Sequence, residues 1–155
     1  IIRAKELGFD TLEFTDHYDT DIDHYDNWRT DFKSENKEIE KYRKLYPDMN
    51  IFQGIEIGFS PDKLEEIISI TNNFKFNVIN LSMHESDGID FYFVEHFLSR
   101  GVDNSMNVYF SSLINAIENF DNFDVLSHID YAFKTTKKIN PNASISDYEK
   151  YLIII

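Results

Sequence analysis

The chain contains no cysteine. A disulfide framework and a thiolate metal site are therefore both excluded, and any transition ion would have to be held by histidine and carboxylate. No apolar run approaches the ~20 residues that span a bilayer, and the short Ile-Ile start lacks the charged and apolar regions of a signal peptide. The expectation is a soluble, cytoplasmic protein with no membrane partner. Glycine and proline are scarce, at 5 and 3 of 155 residues, while 42% of the chain is hydrophobic and 15% aromatic. That composition belongs to a folded globular domain rather than to a disordered or fibrous chain, and the length suits one domain with one core. Basic residues are also few: 15 Lys and Arg stand against 28 Asp and Glu, a formal net charge of -13. The densest basic cluster, Lys134 with Lys137 and Lys138, is small. A phosphate backbone would be repelled, so nucleic acid is not expected as a partner.

Periodicity predicts alternating strands and helices. Ile1 to Leu7 is apolar at helical spacing and Gly8 suits a left-handed C-cap, after which Thr11 to Thr15 alternates as a strand. Lys33 to Tyr46 is rich in helix formers and is stopped by Pro47. Ile51 to Ile57 reads as a buried strand, and Ser60-Pro61-Asp62 as a helix start running to about Thr71. A third strand is expected over Phe76 to Met83, a helix over Asn104 to Phe120, a short strand over Val125 to Ser127 and a last helix over Ser144 to Leu152. This order implies βαβ units and a mainly parallel sheet, that is, an α/β fold.

The residues that end these strands carry the chemistry. Asp16-His17, Glu56, His84 and His128 each follow a strand, at the edge where α/β folds place their sites. Glu56, His84 and His128 together make a His₂Glu set of the kind that holds hydrolytic zinc with a position left for water. An ion so held activates water at neutral pH and stabilises charge on a phosphoryl group. Asp16 and Asp130 stand beside these ligands and are expected to orient the imidazoles. His24, in the acidic loop, and His96, in the apolar stretch FYFVEHFL, do not share this placement. The alternate carboxylates Asp19, Asp21 and Asp23 suggest a calcium loop. Counted from Asp19, however, the turn glycine and the bidentate glutamate of that motif are replaced by His24 and Thr30, so the three are expected to form a solvated rim.

The stretches AKELGFDTLEFTDH, GIEIG, NLSMHESDGIDFY and DVLSHIDYAFK, in this order and over nearly the whole chain, resemble the PHP (polymerase and histidinol phosphatase) metallohydrolases, and among them the histidinol-phosphatase branch. The resemblance implies a (β/α)7 TIM-barrel-like fold holding up to three divalent ions (zinc, manganese or iron) and hydrolysing phosphate esters. It further implies that Glu56 bridges two ions, that His84 and His128 complete the site of one, that His17 serves a third, and that Lys134 grips the substrate phosphate. The expected substrate is a small phosphate ester, histidinol phosphate in histidine biosynthesis. The alternatives are another phosphate ester, or a catalytically silent metal-binding remnant with an interaction role. The family's first-strand H-x-H motif and its late D-x-H motif are absent from the sequence. Residues 1-155 are accordingly expected to be one PHP domain lacking those segments, a partial barrel retaining protein ligands for one ion and able to self-associate over an open edge.

Overall fold

The computed structural model describes residues 1–19 and 30–155. Asp21, Asp23 and His24, on which part of the acidic-rim expectation falls, lie outside the described residues. Four parallel strands form the main sheet in the order β1 (Thr11–Asp19), β2 (Asn50–Gly58), β3 (Ile79–Ser82), β6 (Val125–Leu126). Apart from a small hairpin, each strand pairs with the next one along the chain. That is the order of a (β/α) barrel, whereas a doubly wound sheet reverses direction partway across.

The helices sit close to their expected places. In α2 (Phe32–Leu45), Asp31 caps the N-terminus, its side chain accepting from the backbone N–H groups of Lys33 and Ser34, and those bonds satisfy donors that a helix start leaves unpaired. The segment from Pro61 begins as a 3-10 turn (Pro61–Lys63) before α3 (Leu64–Asn73). α5 (Val102–Asn119) buries Met106, Tyr109, Phe110, Leu113 and Ala116, the i, i+3, i+4, i+7 stripe of a helix facing a core. These side chains meet Ile55, Ile57 and Leu81 of the sheet and Phe91 and Phe97 in one cluster. β2 is buried at most of its positions, as a central parallel strand covered on both faces should be. α1 (Ile2–Glu6) ends before Gly8, whose φ of 84° fits the expected cap. Among the described residues no helix is long and apolar enough to cross a membrane.

Several elements depart from expectation. β1 runs on past Asp16 and His17 to Asp19, paired residue by residue with β2 to Asp19↔Gly58. β3 is shorter than the apolar run FNVINLSM, because pairing with β2 covers only Ile79 to Ser82. A two-stranded hairpin, β4 (Glu85–Ser86) and β5 (Ile89–Asp90), turns through Asp87 and Gly88 with φ of 55° and 72°. Asp-Gly with both φ values positive is the signature of the tight hairpin turn whose twist matches its strands. Two short helices, α4 (Val94–Arg100) and α6 (Phe133–Ile139), follow. The chain's last helical segment is a 3-10 turn (Ile145–Tyr148), started by a Ser144–Asp147 capping box, that leads into α7 (Glu149–Leu152).

Strand alternation sends Asp16 away from His17. Its register partner is the fully buried Ile55, and its side chain lines a cleft with Phe14, Glu35 and Ile39 on the α2 side of the sheet. The expectation that Asp16 orients an imidazole is therefore corrected: consecutive strand residues face opposite sides. Asp16 instead faces Glu35, one of whose oxygens accepts from Gln53 Nε2 at 2.7 Å while Oε1 has no donor. Burial first, and then the Asp16 carboxylate, push Glu35 up from 4.5 to about 7, against the Gln53 bond. A carboxyl raised on folding stabilises the fold fully below about 4.5, and that contribution is lost as pH rises through about 7. At ~1.4 kcal/mol per unit the upper limit is ~3 kcal/mol, and solvent screening reduces it. In denaturant titrations, Glu35→Gln should therefore remove ~1–2 kcal/mol of the stability lost between about pH 5 and about pH 8. An unchanged slope in the variant would refute this account.

Candidate metal centre

The parallel register builds the site row by row. His17 pairs with Glu56, so both side chains leave the same face of the sheet. One step nearer the carboxyl edge, Asp19, Gly58 and Ser82 form the next row. His84 lies two residues beyond Ser82 on the same side, and His128 follows β6. The sheet thus brings together His17, Glu56, His84 and His128 as expected.

Glu56 is the hub. Its Oε1 lies 3.1 Å from His84 Nε2, 2.8 Å from His128 Nε2 and 3.0 Å from Ser82 Oγ, which donates to it. Its Oε2 faces His17 Nε2 at 3.9 Å. A carboxylate whose two oxygens face different imidazoles has the disposition of a bridging ligand. The donor atoms of Glu56, His84 and His128 all lie within 4.8 Å of one another, and their chemistry, one carboxylate and two imidazoles, fits a divalent ion. As protein groups alone they form an ion-paired cluster. Burial raises Glu56, but hydrogen bonds from His128 and His84 and the nearby imidazole charges outweigh it and hold the carboxyl far below its usual range. Burial likewise disfavours the His84 cation, yet Asp19 and Glu56 push its pKa up to about 9.

Asp19 is the residue that sequence reasoning misplaced. Rather than lying on a solvated rim it is 5% exposed, with Oδ1 2.7 Å from His84 Nδ1 and Oδ2 3.0 Å from His17 Nδ1. A carboxylate accepts only, so both Nδ1 atoms carry protons and both Nε2 atoms are turned toward Glu56. His17, Asp19 and His84 also lie close enough to form a ligand group of their own. His84 Nδ1 cannot, however, donate to Asp19 and coordinate an ion at once, and the carboxylate–imidazole arrangement that orients a ligand accounts for all the distances. Burial raises the Asp19 carboxyl, and the bonds to His17 and His84 bring it below the ordinary value. Gly58 makes room for it: a Cβ there would overlap Asp19 Oδ1 and come within 3.1 Å of His84 Nδ1.

Tyr131 was also missed. Its ring stands 5.1 Å from those of both His84 and His128, and its hydroxyl donates to Asp90 Oδ1 at 3.0 Å. His128 has a φ of 20°, at the margin of the left-handed region, a conformation that persists only where its surroundings over-determine it. Here its carbonyl accepts both the Tyr109 hydroxyl and the Tyr131 N–H. The expectation for Asp130 is corrected: it is exposed, and among the described residues no hydrogen bond joins its side chain to an imidazole. Leaving the strand at His128, the chain turns at once into α6 and carries Asp130 outward. Lys134 stands in the first turn of α6 with its ammonium 5.0 Å from the Tyr92 ring. His96 lies outside the centre, fully buried in α4 against Phe91 with ring centroids 4.1 Å apart.

A parallel (β/α) sheet with a carboxylate and imidazoles at its carboxyl edge defines the class, and the PHP domain matches residues 1–154. The chain belongs to the PHP family. A curated relative, a probable histidinol-phosphatase of Clostridium acetobutylicum, is 24% identical over 150 residues, covering 97% of this chain and 56% of the relative. The crystal structure of a histidinol phosphate phosphatase from Lactococcus lactis subsp. lactis, complexed with zinc, L-histidinol and phosphate, shares the fold. Its TM-score is 0.76 at 21% identity, covering 86% of this chain and 51% of that one. The chain thus spans about half the length of the relatives it matches.

Proposed function

We propose that this chain is part of a metal-dependent phosphomonoester hydrolase acting on histidinol phosphate. The observation that carries the proposal is the Glu56 carboxylate, facing three imidazoles at the carboxyl edge of a parallel sheet. Glu56, His84 and His128 would hold the divalent ion, with His17 serving a further ion across Glu56. Zinc is the first candidate because it is present in the Lactococcus structure. When bound, the ion supplies charge stabilisation at phosphorus and activates water. Asp19 keeps both Nδ1 atoms protonated, and Tyr131 walls the imidazoles on one side.

The test is turnover of a panel of phosphate monoesters by the purified protein supplied with zinc, manganese or iron. Histidinol phosphate should be preferred, and His84→Ala and His128→Ala should each abolish the reaction. Activity that survives both substitutions would refute the site, whereas a preference for a nucleotide or for phosphotyrosine would keep the site and change the substrate.

A further inference from the structure

Tyr92, just after β5, carries two cations on one ring. Lys134 Nζ lies 5.0 Å and Lys138 Nζ 4.8 Å from its centroid. The lysines are four residues apart on α6, so they share one helix face. Neither has a carboxylate within ion-pair distance among the described residues, although the chain carries an excess of acid. The Tyr92 backbone is held on both sides: its N–H donates to Asp90 Oδ1 at 2.7 Å and its carbonyl accepts from Thr135 Oγ1 at 2.8 Å. Asp90 is further engaged by Tyr131, whose ring contacts His84 and His128. A continuous path of contacts therefore ties the two ammonium groups to the metal centre.

Two ammonium ions over one ring repel each other, and the aromatic face offsets that only in part. A multiply charged oxyanion within reach of both ammonium groups offsets the repulsion. We propose that Lys138 is a second anion-holding cation beside Lys134, and that Tyr92 is the residue that positions both, forming a subsite for a phosphate dianion. The identity of the anion as the substrate's phosphate rests on the phosphatase reading; the anion site itself does not.

The experiment measures inorganic phosphate binding by calorimetry at low salt, on the protein with its ions and again after chelation. K134Q and K138Q should each weaken binding about 5- to 10-fold in both forms, while K137Q, on the same helix but off the ring, should change it less than twofold. Y92L should weaken binding comparably and Y92F should restore it, since phenylalanine keeps the aromatic face. Equal effects of K137Q and K138Q would reduce the site to general surface charge and overturn the proposal, as would wild-type binding by K138Q or Y92L. If the expected binding pattern appears in a protein that hydrolyses no phosphomonoester, the subsite stands and the phosphatase reading falls.

Discussion

Glu56→Gln should weaken divalent-ion binding. The loss should exceed the ~10- to 100-fold that follows removal of an outer partner of a metal ligand, because the proposed function makes Glu56 itself the shared ligand. The carboxylate offers Oε1 to His84 and His128 and Oε2 to His17, whereas an amide has one acceptor and turns an NH₂ group toward the opposite imidazole. Equilibrium dialysis against zinc is the measurement, and affinity within twofold of wild type would refute the hub assignment. Chelated protein gives an independent readout. His84, raised from 6.5 to about 9 by Asp19 and Glu56 in spite of burial, stabilises the fold fully below about 6.5 and loses that contribution as pH rises through about 9. Without the Glu56 charge this stabilisation shrinks, so the variant should melt earlier than wild type below about pH 7 and converge with it in alkali.

Much of this was legible in the sequence, and the parts that were not share a cause. Glu56, His84 and His128 were found because each ends an apolar run, and parallel pairing then places strand ends on one edge whatever the details. Asp19 was misread because a strand was taken to stop where its apolar alternation stopped. Pairing with β2 carries β1 four residues beyond Thr15, and in that extension polar residues face a polar site, so hydrophobic period is silent there. The same extension decides Asp16. Once His17 lies within a strand, its neighbour must face the other side, and the carboxylate able to reach it is two residues on. The hairpin had a readable signal in Asp87-Gly88, but strands of two residues each leave no periodicity to support it. Tyr131 had none, since an aromatic three residues after a histidine has many structural uses, and its role appears only once the turn after His128 sets its ring against both imidazoles.

The arrangement of Asp19 over Gly58 makes a stronger claim than either residue alone, because it predicts an interaction between substitutions. Gly58→Ala places a methyl group where Asp19 Oδ1 stands, on a central strand hemmed in by β1 and β3. The backbone has little room to yield, so the carboxylate must move. The cost should be ~1–3 kcal/mol of stability, as for other overpacked sites. Ion affinity should fall ~10- to 100-fold, since His17 and His84 lose the bonds that set their tautomers. Asp19→Asn should give a similar affinity loss with less destabilisation, because the amide fills the same space but can accept from only one of the two imidazoles. Asp16→Asn, on the opposite face, should leave affinity within twofold. In an Asp19→Ala background the obstructing oxygen is gone, and adding Gly58→Ala should then cost well under ~1 kcal/mol. Additive costs in the double mutant would mean that Gly58 serves the strand rather than the carboxylate. Strong coupling would mean that the last glycine of GIEIG and the last aspartate of β1 are two halves of one device, a gap and the anion that fills it, by which a parallel sheet holds two imidazoles at fixed tautomer.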